Sequence, residues 1–376
     1  AYDELKVVLH VELGPDERRE KVRRINAALD SDPVDIVSLR DCATLSGGLV
    51  NDSVRQRVWP KLLGVNAYQK TKKTDAQTLQ SHRDHGQVLL DVRRSDRRFP
   101  PDTKASFRRF KQSQLTELIM RVLHQNKSLY YYQGFHELSV PFLLICGPDV
   151  AVQLLNQLCH THLRDFMETS IAQSDSLLSF LYPIIAREDK PLQDFLQLSE
   201  VGTVFCLSWI LTWFSHVLTN WGAVVRLYDL FLASHPLMPV YLSAAVVLHV
   251  RDDVVSVNCE LSAVHAALRW PSSLPLERII RQAIRLFAAY PPALIASRNN
   301  LRLENSLGIR NYTKTLLPQL VQLRSDRALA ARTKNGYLLH HQYVDDDDQT
   351  LSKQNIRYVV ICAVVVTLVY FLYAAL

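Results

Sequence analysis

The chain has 376 residues, 48% of them apolar and only 11 of them glycine. That balance excludes a disordered or collagen-like polymer and suits a compact, helix-rich body with a sizeable core. The formal charge of +6 is modest at this length, so the overall balance selects no partner class.

Pro15-Asp16-Glu17 opens a charged amphipathic helix that runs to about Leu29, with acids first and basic residues later, as the helix dipole favours. Asp32-Pro33 reads as an N-cap with proline at the first position of a second helix. Ser46-Gly47-Gly48 breaks the chain before a helix over Ser53–Leu63, and residues 66–85 are polar and lysine-rich, an exposed loop and helix. From Ser106 to His124 the apolar positions 107, 110, 115, 118, 119, 122 and 123 form a helical stripe. Helix-length apolar patterns continue at 136–146, 150–158, 174–186, 201–219 and 222–233, without a convincing run of alternating strands. The expected class is all-α.

Leu227–Val250 is apolar enough to suggest a membrane span, but Pro236 and Pro239 divide it, which predicts two short buried helices. The chain turns polar and irregular after Pro292, and the Asp345–Asp348 tetrad reads as part of a solvated tether. Tyr358–Leu376 then holds nineteen residues without a charge. As a helix it would span roughly 28 Å at ~1.5 Å per residue, close to the ~30 Å hydrocarbon core. Lys353 and Arg357 flank it, and no secretory signal is read before the first charged helix. The expectation is a C-terminal transmembrane tail anchor with residues 1–357 in the cytosol.

Several chemistries find no support. The six cysteines are scattered with no CxxC pairing, which points to free thiols in a reducing compartment. Cys159-His160-Thr161-His162 has no second cluster to complete a tetrahedral metal site. There is no GxxxxGK[ST] phosphate loop and no GxSxG elbow, so the chain is expected to bind no nucleotide by itself. Basic clusters occur at Arg93-Arg94-Ser95-Asp96-Arg97-Arg98 and Arg108-Arg109-Phe110-Lys111. They lack the aromatic platform or module of a nucleic-acid binder and suit an acidic surface, a phosphate or an anionic membrane.

Two short segments about forty residues apart are more informative: Val88-x-x-Asp91-x-x-Arg94 and Tyr131-x-Gln133-Gly134. An arginine is permanently charged and presents a planar fork of donors to charge on a transferring phosphoryl group. A glutamine amide both donates and accepts, as aligning a water requires. Asp91 could hold the backbone or the guanidinium of the arginine, and Gly134 would allow another protein to approach closely. Taken singly, either segment reads as well as a solvated basic face or a polar helix start.

As an ordered pair, the segments resemble the IxxDxxR and YxQG motifs of TBC-domain Rab GTPase-activating proteins. Arg55-x-x-x-Trp59-Pro60-x-Leu62-Leu63-Gly64, Trp213-Phe214 and Arg226-Leu227-Tyr228-Asp229-x-Phe231-Leu232 resemble further landmarks of that family. The likeness covers residues 45–250. Departures are Ser95 where the family usually has Thr, His136 in place of Asn and Tyr228 in place of Trp. The RRSDRRFPP stretch and the apolar C-terminus are most similar to a branch whose members sit on the endoplasmic reticulum and act on Rab-one-type GTPases in ER-to-Golgi traffic.

The resemblance implies a multi-helix TBC domain over 45–300, with N-terminal helices at 1–44, a polar tether at 301–357 and the anchor at 358–376. It implies a GTPase activator with Arg94 and Gln133 as catalytic residues acting in trans on a GTP-bound Rab. Asp91, Tyr131 and Gly134 are supporting residues: Asp91 orients the arginine, and Tyr131 packs or hydrogen-bonds near the Rab switch region. Arg93 and Arg97 are rivals to Arg94, which the three-residue count from Asp91 selects. Trp59 and Trp213 are expected in the core. No cofactor of its own is expected, since GTP and Mg²⁺ come with the Rab. A catalytically silent, membrane-anchored Rab-binding scaffold is the alternative, and intact Arg94 and Gln133 argue against it.

Overall fold

The computed structural model describes residues 13–332, apart from 70, 72, 73, 101, 102, 170, 171, 272 and 273. The expected anchor at 358–376, and residues 333–357 of the expected tether, lie outside the described residues. Among those described, every regular element is helical.

The first seven α-helices are α1 (Pro15–Asp30), α2 (Ile36–Thr44), α3 (Asp52–Leu62), α4 (Ala76–Gln80), α5 (His85–Arg93), α6 (Ala105–Gln125) and α7 (Phe135–His160). Helix α1 carries Pro15 at its first position and buries Ile25, Ala28 and Leu29 on one face. Helix α2 begins later than the Asp32-Pro33 signal predicts: Asp35 is its cap, accepting from Ser38 N at 3.0 Å. Asp32 is engaged elsewhere, accepting from Ser325 N at 3.1 Å and pairing with Arg324 at 2.9 Å.

Helix α7 is the core helix. It is long and apolar enough to cross a membrane, but it buries residues around its whole circumference, from Phe135 to Pro141 without a gap. Gly147 at φ 73° and Pro148 kink it, where the sequence suggested two helices. Helix α6 lies along it in the same direction, since Arg121 meets Asp149 at 3.2 Å and, further on, Asn126 meets Asn156 at 2.6 Å. The starts of α6 and α7 therefore lie at one end of the domain. The stretch 227–250 falls into two buried helices, Trp221–Leu232 and Met238–His249, as its prolines imply.

Two of the sequence landmarks meet at Asp229, which is 0% exposed. Its carboxylate accepts from Arg55 Nη2 at 3.0 Å, Trp59 Nε1 at 2.8 Å and the Leu49 N–H at 2.9 Å. A buried charge needs this much compensation. Gly48, at φ 53°, lets the backbone wrap the carboxylate, because a Cβ there would lie 2.5 Å from Asp229 Oδ2. Around this post the rings of Trp59, Phe142, Trp213 and Tyr228 pack edge to face or tilted. Trp59 and Trp213 are thus core residues.

Residues 303–332, expected to be tether, are folded onto the body as short helices that bury Ile309, Tyr312, Leu316 and Leu320. Polar composition hid this because only every third or fourth side chain points inward. The Asp165 carboxylate holds the segment by accepting from Ser306 Oγ at 2.5 Å and Leu307 N at 2.9 Å. The Tyr312 ring stands edge-on to His162 and His235, with centroids 5.2 and 5.5 Å away.

Burial pushes His162 down to about 4, partly offset by its hydrogen bond to the Ser234 carbonyl. Burial and the nearby charges of His162 and Arg40 push His235 down to about 3. Both fold as neutral rings. Above pH 6.5 neither binds a proton folded or unfolded. As pH falls towards 4, the unfolded chain gains protons that the native one refuses, so stability drops. Denaturant titration is expected to show a loss of about 2 kcal/mol per histidine between pH 8 and pH 5. His235 Nδ1 accepts from Leu237 N at 3.1 Å, a bond that asparagine can replace, so His235→Asn should remove about 2 kcal/mol of the loss. An unchanged pH slope would contradict this account.

Candidate functional site

Helix α5 buries Val88, Asp91 and Val92 at helical spacing and ends at Arg93. Arg94 closes it, its N–H donating to the Asp91 carbonyl at 3.0 Å. A turn of 3₁₀-helix follows over Ser95–Arg98, with buried Ser95 donating to the Val92 carbonyl at 2.6 Å. The chain thus turns sharply at Arg94, whose side chain is exposed.

Gln133 is also exposed, at the tip of the turn that enters α7. Tyrosines fasten this turn on both sides. Tyr132 OH donates to the Leu211 carbonyl at 3.0 Å, and Tyr131 OH donates to Asp91 Oδ2 at 2.9 Å. The second bond joins the two motifs directly. Among the described residues, neither Arg94 nor Gln133 has a side-chain hydrogen bond or ion pair of its own.

The Asp91 carboxylate also accepts from Gln87 Nε2 at 2.9 Å, so both of its oxygens are used within the domain. Asp91 meets Arg94 through its backbone carbonyl, which accepts from the Arg94 N–H, and its carboxylate does not bond the guanidinium. Burial first, then the charge and hydrogen bond of Asp91, raise the Tyr131 phenol far above its ordinary range, so it remains a donor. Its single proton goes to Asp91, so the contact from His136 Nδ1 at 3.1 Å must be an N–H donated to the phenol oxygen. Burial lowers the His136 pKa, against the opposing charge of Glu137, and favours the neutral ring.

Gly134 is buried with φ 111°, and a Cβ there would meet Thr212 Cγ2 at 2.9 Å. The chain's own Thr212 makes a close approach at this glycine. Tyr131 turns its hydroxyl inward to Asp91.

Sequence reasoning missed the tether of the arginine segment. Arg98 Nε pairs with Glu137 Oε2 at 3.1 Å, and its Nη1 donates to the carbonyls of Ser215 at 3.1 Å and His216 at 2.8 Å. Glu137 also accepts from His216 Nδ1 at 3.0 Å. Burial alone would raise the Glu137 pKa, but the His216 bond and the Arg98 charge outweigh it and hold the carboxyl below its ordinary range. The only local hint was an acid in the first turn of α7, which reads equally well as a partner of the helix dipole. Arg98 is thereby committed to structure, while Arg93, Arg94 and Arg97 stay exposed. Cys159, His160 and His162 do not form a metal site: no group of three metal-ligating side chains exists among the described residues.

Comparison with known proteins identifies the family and the fold. The Rab-GTPase-TBC domain family matches residues 52–254. The chain belongs to this family. TBC1 domain family member 20 of Homo sapiens is 45% identical over 280 residues, covering 74% of this chain and 70% of that protein. The Mus musculus protein of the same name is 42% identical over 316 residues, covering 84% and 79%. This agrees with the branch implied by the RRSDRRFPP stretch. The GTPase-activating protein gyp10 of Schizosaccharomyces pombe is 30% identical over 262 residues, covering 68% and 70%. Among solved structures, the Ypt/Rab-GAP domain of Gyp1p superposes with a TM-score of 0.55 at 15% identity, over 73% of this chain and 99% of that one. The TBC fold is therefore shared well beyond sequence similarity, and family membership supports a Rab GTPase-activating function for the chain.

Gly134 in this TBC domain is held by its φ and by Thr212, so Gly134→Ala is expected to cost about 1–3 kcal/mol. Adding Thr212→Ser, which deletes the contacting methyl, should recover part of the loss. Chemical denaturation would measure both, and an unaltered midpoint for Gly134→Ala would contradict the assignment.

Proposed function

We propose that this protein accelerates GTP hydrolysis on a GTP-bound Rab by supplying Arg94 and Gln133 in trans. The observation that carries the reading is the Asp91–Tyr131 hydrogen bond, which joins the two segments whose exposed tips are Arg94 and Gln133. Both side chains stand free to enter a partner's site, and neither is needed by the core.

The roles follow from the chemistry of each group. In phosphoryl transfer, charge spreads over the transferring group, and a guanidinium placed there stabilises it. The Gln133 amide can accept from the attacking water while donating towards the phosphoryl oxygens. The Asp91 carbonyl accepts from the backbone N–H of Arg94 at the end of α5, and the three-residue count from Asp91 selects Arg94 over Arg93 and Arg97. GTP and Mg²⁺ belong to the GTPase. The reading extends to a Rab-one-type substrate, attachment through residues 358–376 and a cytosol-facing position on an early secretory membrane.

Single-turnover GTP hydrolysis across a Rab panel tests it. Arg94→Ala is expected to lower the stimulated rate about 10³–10⁵-fold, or about 4–7 kcal/mol, without changing the thermal midpoint. Full stimulation by that variant would overturn the assignment. Rab binding without stimulation by the unmodified chain would favour a silent scaffold.

A further inference from the structure

The turn that leads into α5 holds an arginine with no part in the roles assigned so far. Arg83 leaves 43% of its side chain exposed. Among the described residues, its hydrogen bond, ion pair and ring contact all run to the loop that carries Gln133 or to a carboxylate that holds that loop. The guanidinium lies over the Tyr130 ring, 3.8 Å from its centroid. Nη2 donates to the Leu129 carbonyl at 2.6 Å. Nε pairs with Asp84 Oδ2 at 3.5 Å, and the same oxygen accepts from the Tyr131 N–H at 3.4 Å. One side chain thus grips three successive residues, 129 to 131, the last of them through Asp84.

A lone exposed ion pair holds little. Here a ring contact, a hydrogen bond and a carboxylate converge on one planar group, which lysine could not reproduce. The core makes no use of this arrangement, but Gln133 does. Its side chain is exposed and has no hydrogen bond of its own among the described residues, so the backbone of its turn sets where the amide points. After Gln133 the chain enters α7 and is fixed by the helix. Before it, the Tyr130 N–H donates to the Met167 carbonyl at 2.9 Å on one side of the stem, and Arg83 covers the solvent side. Both ends of α5 therefore bear on the site. Its last turn presents Arg94, its entry holds the stem of Gln133, and nine residues of helix, about 13 Å, keep the two apart.

An amide that orients an attacking water must be held to within about 0.5 Å, and a misplacement of about 1 Å can cost about 100-fold in rate. We propose that Arg83 is a positioning residue for Gln133, clamping residues 129–131 so that the amide is preset for the water that attacks GTP on the partner. This rests on the GTPase-activating reading. The clamp acts on the chemical step and not on affinity.

The test is stimulated hydrolysis by the full chain in detergent micelles, on the Rab that responds best in the panel. Arg83→Ala is expected to lower kcat about tenfold, with KM within twofold and the thermal midpoint little changed. Placed on Gln133→Ala, the same substitution should cost nothing further, because the group it positions is gone. Arg83→Lys keeps the charge without the planar fork and should recover little. A raised KM with kcat kept would overturn the clamp in favour of direct contact with the partner. A tenfold loss that persists in the Gln133→Ala background, or full recovery by lysine, would overturn it as well. Unchanged kcat in Arg83→Ala, with Arg94→Ala and Gln133→Ala still impaired, would overturn the clamp and leave the fingers standing. Failure of the unmodified chain on every Rab would overturn both readings.

Discussion

One hydrogen bond organises the functional end of this molecule: the Tyr131 phenol donating to the Asp91 carboxylate at 2.9 Å. It links the end of α5 to the turn before α7, forty positions along the chain, and each of those segments ends in an exposed side chain suited to phosphoryl transfer. A hydrogen bond to a charged acceptor in a buried setting contributes about 1.5–3 kcal/mol. Its geometric effect is larger than its energy suggests. With Gln87 on the other oxygen and His136 behind the phenol, neither motif can shift without leaving a buried polar group unpaired.

The rest of the domain repeats the device. Asp229 gathers Arg55, Trp59 and the Leu49 N–H, Glu137 gathers Arg98 and His216, and Asp165 gathers Ser306 and Leu307. Each buried carboxylate draws donors from chain segments far apart in sequence. The apolar core drives collapse without much direction, and these posts fix which helix ends meet. The geometry of the candidate site and fold specificity thereby rest on the same kind of interaction. The side chains of Arg94 and Gln133 are mounted on that frame and do not take part in holding it.

Much of this was legible in the sequence. Helical periodicity gave the all-α class and placed α6, and the prolines at 236 and 239 divided an apolar run correctly into two buried helices. The chemistry of arginine and glutamine marked Arg94 and Gln133 as the residues to examine. What remained hidden depended on long-range pairing. The packing demand on Gly134 is invisible until Thr212, 78 positions later, is seen beside it. Arg98 is indistinguishable from its neighbours until Glu137 and the carbonyls of 215 and 216 surround it. Residues 303–332 look solvated because a thin apolar face on short helices leaves little local signal, although Tyr312 and Leu316 are buried.

The claim that one bond couples the two fingers is tested most directly by a double-mutant cycle. Stimulated hydrolysis would be measured for Asp91→Ala, Tyr131→Phe and the pair together on a responsive Rab. Coupled fingers predict that each single variant loses about tenfold and the pair little more than the worse of the two, a coupling of about 1 kcal/mol or more. Losses that multiply in the double variant would show that Asp91 and Tyr131 act separately, and would contradict the account.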